Sequence, residues 1–133
     1  MTLEDRYDGL NYINGTILIV TDDIDMNTVL SGVFALNGFK CLKCTSAEEV
    51  LKTFDDYIDD VDSMLINGKI AADRGAMIIV KIKSKKSSVK IVVVSNNDSA
   101  KTRVLDYGAD DFILKPISAE SLTNRVITQL ARR

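Results

Sequence analysis

Five short apolar runs, each stopped by polar residues or a glycine, set the limits on how this chain can fold. They fall at 16–20, 39–44, 61–67, 89–94 and 111–114. The first, Thr16-Ile17-Leu18-Ile19-Val20, is continuous and β-branched, too short for a helix and too uniformly apolar for a strand with one wet face. The central one, Ser63-Met64-Leu65-Ile66-Asn67, breaks at Gly68-Lys69. Helical patterns separate the runs. Asp25 is the expected N-cap of a first helix whose apolar face is Met26, Val29, Leu30, Val33 and Phe34, with Gly38 as its terminating glycine. Ser46-Ala47-Glu48-Glu49 reads as a capping box opening a second helix that turns Val50, Leu51 and Phe54 inward. A third helix, about 75–84, should bury Ile78, Ile79 and Ile82 and leave Met77 and Val80 outward. A fourth runs about 99–107 to Gly108, and a fifth from Ser118 carries Leu122, Val126 and Leu130 on one stripe.

Strands buried on both faces and alternating with helices predict a parallel sheet covered on each side. Right-handed crossovers leave few topologies, so the expected fold is α/β and flavodoxin-like: a doubly wound five-stranded sheet, order 2-1-3-4-5, with five helices. The predicted domain is 16–131. Residues 1–15 have no clear period and end in Asn14-Gly15, a tail or a short extra element.

Composition removes whole classes of function. There is no histidine, which excludes a Ser-His-Asp triad, a Cys-His pair and any metal site built on imidazole. Cys41 and Cys44 form a C-x-x-C, but within a strand, where residues three apart point to opposite faces. No second cysteine pair completes a zinc set, so two packed free thiols are expected. A net charge of −2 does not favour nucleic acid. Apolar runs of a few residues are far short of a membrane span, and the acidic, polar N-terminus is unlike a signal peptide, so a cytoplasmic location is expected. The acidic link 55–60 reads as a solvated turn, and Lys81, Lys83, Lys85, Lys86 and Lys90 as a solvated face.

In the expected sheet, strands one and three flank the switch point where ligands collect. Their ends bring together Thr21, Asp22, Asp23 and Asn67, with Ser95 and Lys115 at the ends of strands four and five. Carboxylates, a hydroxyl and a lysine in that arrangement suit a divalent cation and a phosphoryl group.

In these residues the sequence resembles the receiver domain of two-component response regulators, similar to the single-domain chemotaxis type. The likeness runs over roughly 16–130. Ile17-Leu18-Ile19-Val20-Thr21-Asp22-Asp23 is similar to the first strand with its acidic pair, Ser95 to the strand-four hydroxyl, and Gly75 to a loop glycine. The most specific match is Gly108-Ala109-Asp110-Asp111-Phe112-Ile113-Leu114-Lys115-Pro116. The resemblance implies that Phe112 is the switch aromatic and that the Lys115-Pro116 bond is cis. It implies as partner a signalling protein, a histidine kinase or an output protein.

Two positions depart from that pattern. The phosphorylated aspartate of the family falls on Asn67, and the first of its acidic pair on Thr21. A carboxylate can form an acyl phosphate; an uncharged amide with delocalised lone pairs cannot. No catalytic side chain is therefore expected. Mg²⁺ should bind weakly if at all, through Asp22, and no other cofactor is implied. Lys115 is expected to pair with Asp22 or Asp23 instead. Phe112 is read as plain packing, without its trigger. The expected function is a phosphorylation-silent, pseudo-receiver interaction module, acting through a partner rather than an attached output domain. Two alternatives stay open: an orthodox receiver phosphorylated at Asp22 or Asp23, and a small-ligand module in the strand-end cleft. Met77 and Val80 offer a patch for weak self-association, against the plainer reading of scattered exposed apolar residues.

Overall fold

The structure, a computed structural model, describes residues 13–71 and 76–132. Gly75, the loop residues Asp73 and Arg74, and nearly all of the 1–15 segment lie outside the described residues. Strands β1 (Gly15–Val20), β2 (Phe39–Cys44), β3 (Val61–Asn67), β4 (Lys90–Ser95) and β5 (Asp111–Leu114) form one sheet in the order β2-β1-β3-β4-β5. All four pairings are parallel. The described helices number six, not five: α1 (Ile24–Leu36), α2 (Ala47–Asp56), α3 (Gly68–Ile70), α4 (Ala76–Lys85), α5 (Lys101–Asp106) and α6 (Ala119–Leu130). The addition, α3, is a single turn directly after the central strand, too short to leave any period in the sequence. No helix among the described residues is long and apolar enough to cross a membrane.

The sheet divides the core in two. On one side Leu18, Met64, Ile66 and Val93 meet Val50 and Phe54 of α2 and Ile78, Ile79 and Ile82 of α4. On the other, Ile17, Ile19, Leu65 and Val92 meet Leu30 and Phe34 of α1 and Leu122 and Val126 of α6. The inward faces of α2, α4 and α6 are those the spacing predicts, and Met77 and Val80 stand outward, 54% and 37% exposed.

Helix α1 departs from expectation. Its buried residues are Asn27, Leu30, Ser31 and Phe34, while Met26 and Val29 are 40% and 57% exposed. Asn27 is held inside because its side-chain amide donates to the carbonyls of Ile19 (3.4 Å) and Cys44 (3.3 Å), stitching the helix to β1 and β2. Ser31 in turn donates to Asn27 Oδ1 at 3.3 Å. Two satisfied polar groups thus take the place expected of two apolar ones. The cap also moves: Asp23, not Asp25, accepts from Met26 N at 3.0 Å. Gly38, with φ 85°, follows the C-cap in the left-handed conformation that ends a helix without a Cβ clash. At α2 the capping box is replaced: Ser46 makes no side-chain cap bond, and Glu49 reaches back to Thr45 N (3.1 Å) and Thr45 Oγ1 (3.4 Å).

The lysines of the last turn of α4 and of the turn leading to β4 are not a uniformly solvated face. Lys83 Nζ donates to Val89 O (2.6 Å) and Asp110 Oδ2 (2.7 Å), and Lys86 Nζ to Ile58 O (2.8 Å) and Val61 O (2.7 Å). Lys85 pairs with Asp55 at 2.6 Å, and the expected acidic turn 55–60 begins inside the helix: Asp55 and Asp56 close α2, and only 57–60 form the turn. Long aliphatic stems let these ammonium groups satisfy backbone carbonyls at the N-terminal end of the sheet.

Candidate functional site

The ends of β1 and β3 come together through their last polar side chains. Asn67 Nδ2 donates to Thr21 Oγ1 at 3.4 Å, and Asn67 Oδ1 accepts from Lys69 N at 2.9 Å, capping α3. Thr21, 5% exposed, also accepts from Asp23 N at 3.2 Å. Both side chains are committed to local bonds, which fixes the amide of Asn67 from two sides.

The acidic residues lie apart from this pair. Asp22 is exposed and faces Lys69 at 3.9 Å, and Asp23 caps α1. Lys115 forms no ion pair among the described residues, contrary to the expected bond with Asp22 or Asp23. Its backbone N–H donates to Ser95 O at 2.8 Å, joining the ends of β4 and β5, and the Lys115-Pro116 peptide is cis. Ser95 is nearly buried, and its hydroxyl accepts from Asn97 N at 3.4 Å. The ring of Phe112 is packed in the core on the α2–α4–α5 side.

Gly68 explains how close these strand ends lie. A Cβ there would sit 2.4 Å from Ser95 Cβ and 3.1 Å from Ser95 Cα. Ser95 thus occupies the room that a side chain at 68 would need. Gly68→Ala should cost about 1–3 kcal/mol in urea denaturation, because the backbone at Ser95 must move. An unchanged midpoint would mean that the strand ends are loosely held.

Thr21, Asn67 and Lys115 share one cavity of about 430 Å³, opening between α1 and the β5–α6 loop. Its walls are apolar: Met26, Val29 and Leu30 on α1 face Pro116, Ile117 and Leu122. Asp22, Asp23 and Ser95 do not line it. Sequence reasoning placed the three polar residues but missed the apolar wall, having assigned Met26 and Val29 to the core. The available signal was the excess of apolar positions on α1, where Ile24 and Leu36 are exposed too. One helix face cannot bury them all.

The two thiols lie on opposite sides of the sheet, Cys44 in one core cluster and Cys41 against the other. Burial pushes the Cys41 thiol up from 9.0 to about 11, with Lys43 pulling weakly the other way. Burial also raises Cys44, aided by Glu49 and opposed by a bond from Thr53. Native Cys41 should therefore react with Ellman's reagent about a hundredfold more slowly near pH 8 than the unfolded chain. Because the folded pKa lies above the unfolded one, this contribution to stability is complete below pH 9 and is lost as pH rises toward 11. Equal labelling rates in buffer and in urea would contradict it.

A doubly wound parallel sheet with polar side chains gathered at the switch point has the architecture of the flavodoxin-like class. Residues 17–127 match the response regulator receiver domain family, and the chain belongs to it. It is thus a receiver domain of a two-component system. It is 28% identical over 120 residues to a cyclic di-GMP phosphodiesterase of Thermotoga maritima, covering 89% of this chain and 32% of that protein. It is 29% identical to the transcriptional regulatory protein PrrA of Mycobacterium tuberculosis, covering 88% of this chain and 50% of the relative. The chain thus spans a third to a half of these curated relatives. A response regulator receiver domain from Clostridium thermocellum superposes with a TM-score of 0.80 at 19% identity, over 89% of this chain and 95% of that one.

Proposed function

We propose that this receiver is phosphorylation-silent and acts by binding another signalling protein. The observation that carries the reading is the amide of Asn67 at the end of the central strand, bonded to the hydroxyl of Thr21. Both are uncharged, and neither offers an anionic oxygen to attack phosphorus.

The Mg²⁺ that the family implies is not matched by these donors. A hard cation needs carboxylate oxygens converging on one point. Here Asp22 faces Lys69 and Asp23 caps α1. Among the described residues no three acidic, histidine or cysteine side chains are grouped to hold a metal. Titration calorimetry with MgCl₂ should give no saturable heat, and tight stoichiometric binding would remove this part of the proposal. Without an added group that interacts differently with two shapes, the resting conformation is set by sequence or by the partner.

The test is intact-mass analysis of fresh protein after incubation with acetyl phosphate and Mg²⁺, and with a promiscuous histidine kinase. No phosphoryl mass is expected. Labelling at Asp22, Asp23 or Ser95 would restore the orthodox reading.

A further inference from the structure

We propose that the cavity between α1 and the β5–α6 loop binds a small amphipathic carboxylate, an apolar chain ending in a carboxylate group, with Lys115 taking the head. The site is a different matter from phosphoryl acceptance and does not depend on it. Its volume of about 430 Å³ lies within the range of small-molecule sites, ~300–1,000 Å³. Its walls are almost entirely apolar, from Met26, Val29 and Leu30 on one side to Ile117 and Leu122 on the other. Met26 and Val29 are left 40% and 57% exposed, so an apolar body laid against them removes surface that the fold itself leaves in water.

Charge selects the head group. Polar character is confined to Thr21, Asn67 and Lys115. Lys115 brings a positive charge with no ion-pair partner among the described residues. Asn67 Nδ2 has two hydrogens, of which Thr21 accepts one, leaving a second donor. A cation and an amide N–H favour an anionic acceptor. No carboxylate lines the cavity: among the strand-end acids Asp22 faces Lys69, and Asp23 is bonded to the start of α1. A cationic head of equal size is repelled by Lys115, and a neutral one gains at most a hydrogen bond without the charge attraction.

Decanoate and decylamine, which share a chain and differ in the sign of the head, are the probes for titration calorimetry on the full chain. Decanoate should bind saturably with one site, and decylamine about tenfold more weakly or worse. Lys115→Met should weaken decanoate by about tenfold or more and erase the preference, while decylamine binds as well as before or better because a like charge has been removed. Val29→Trp fills the cavity from an exposed helix position and should abolish binding with the circular dichroism spectrum intact. Met26→Trp is the second blocking variant if Val29→Trp does not fold. Equal binding of the two probes, or decanoate binding insensitive to Lys115→Met, overturns the proposal. So does saturable binding that survives the blocking variant. No heat from either probe up to millimolar concentration also overturns it, and leaves the cavity to an apolar side chain of a protein partner.

Discussion

The double variant Thr21→Asp, Asn67→Asp gains phosphoryl mass from acetyl phosphate and Mg²⁺, while the wild-type chain stays unlabelled. The two side chains already touch at 3.4 Å, so the substitutions place two carboxylates side by side at the ends of β1 and β3. At an effective dielectric near 20, two like charges ~4 Å apart repel by about 4 kcal/mol. One of the new carboxyl groups must therefore hold its proton, or a cation must enter between them. This predicts a second signature: the double variant melts lower than wild type in EDTA and recovers with Mg²⁺. Asn67→Asp alone restores the nucleophile without restoring the metal donor at 21, and should label far more slowly than the double variant. If both variants and the wild type label alike, the acceptor lies elsewhere and the silent-receiver reading is lost. If the double variant fails to label although it binds Mg²⁺, the close approach of Ser95 to Gly68 becomes the next obstacle to test.

The second large effect is structural. Phe34→Ala should cost about 3–5 kcal/mol in urea denaturation, the range for emptying a buried aromatic site. Phe34 is fully buried and meets Phe39 edge-to-face, ring centres 5.2 Å apart and planes at 85°. The pair joins the last turns of α1 to the first residue of β2, and edge-to-face contact adds about 0.5–1.5 kcal/mol beyond area alone. Domains of this kind are stable by about 5–15 kcal/mol, so the loss is a large share of the total. Because α1 is also the apolar wall of the cavity, any ligand there should bind the variant less well at temperatures where wild type is unaffected. A loss below about 1 kcal/mol would mean that the core around α1 collapses to fill the hole.

The sheet was readable because its strands are buried on both faces and leave continuous apolar runs. β2, β3 and β5 begin and end where the sequence places them. Helix α1 was not, because it carries more apolar residues than one face can bury and its two inward polar residues act through tertiary bonds. Asn27 reaches carbonyls on two strands, and nothing in its sequence neighbours predicts that. The same limit applies to Lys83 and Lys86, whose charge suggests solvent but whose reach finds the carbonyls of Val89 and Ile58 in the turns before β4 and β3. At the site, the identities of Thr21, Asn67 and Lys115 were legible. Their separation from Asp22 and Asp23 was not, since it depends on which acid caps a helix and which meets Lys69.

The two borders of the sheet constrain how another chain can engage this one. β2 forms one border, and its outward residues include the exposed Lys40 and Lys43. A second strand laid along that border would have to bury or crowd two ammonium groups, a device that discourages strand addition. The opposite border, β5, has only four residues, too few for a long ladder of main-chain bonds. Both routes to an extended intermolecular sheet are thus disfavoured, which protects the folded chain from edge-to-edge aggregation. A macromolecular partner is left to approach through helices and loops, where side-chain identity rather than backbone pairing decides what binds.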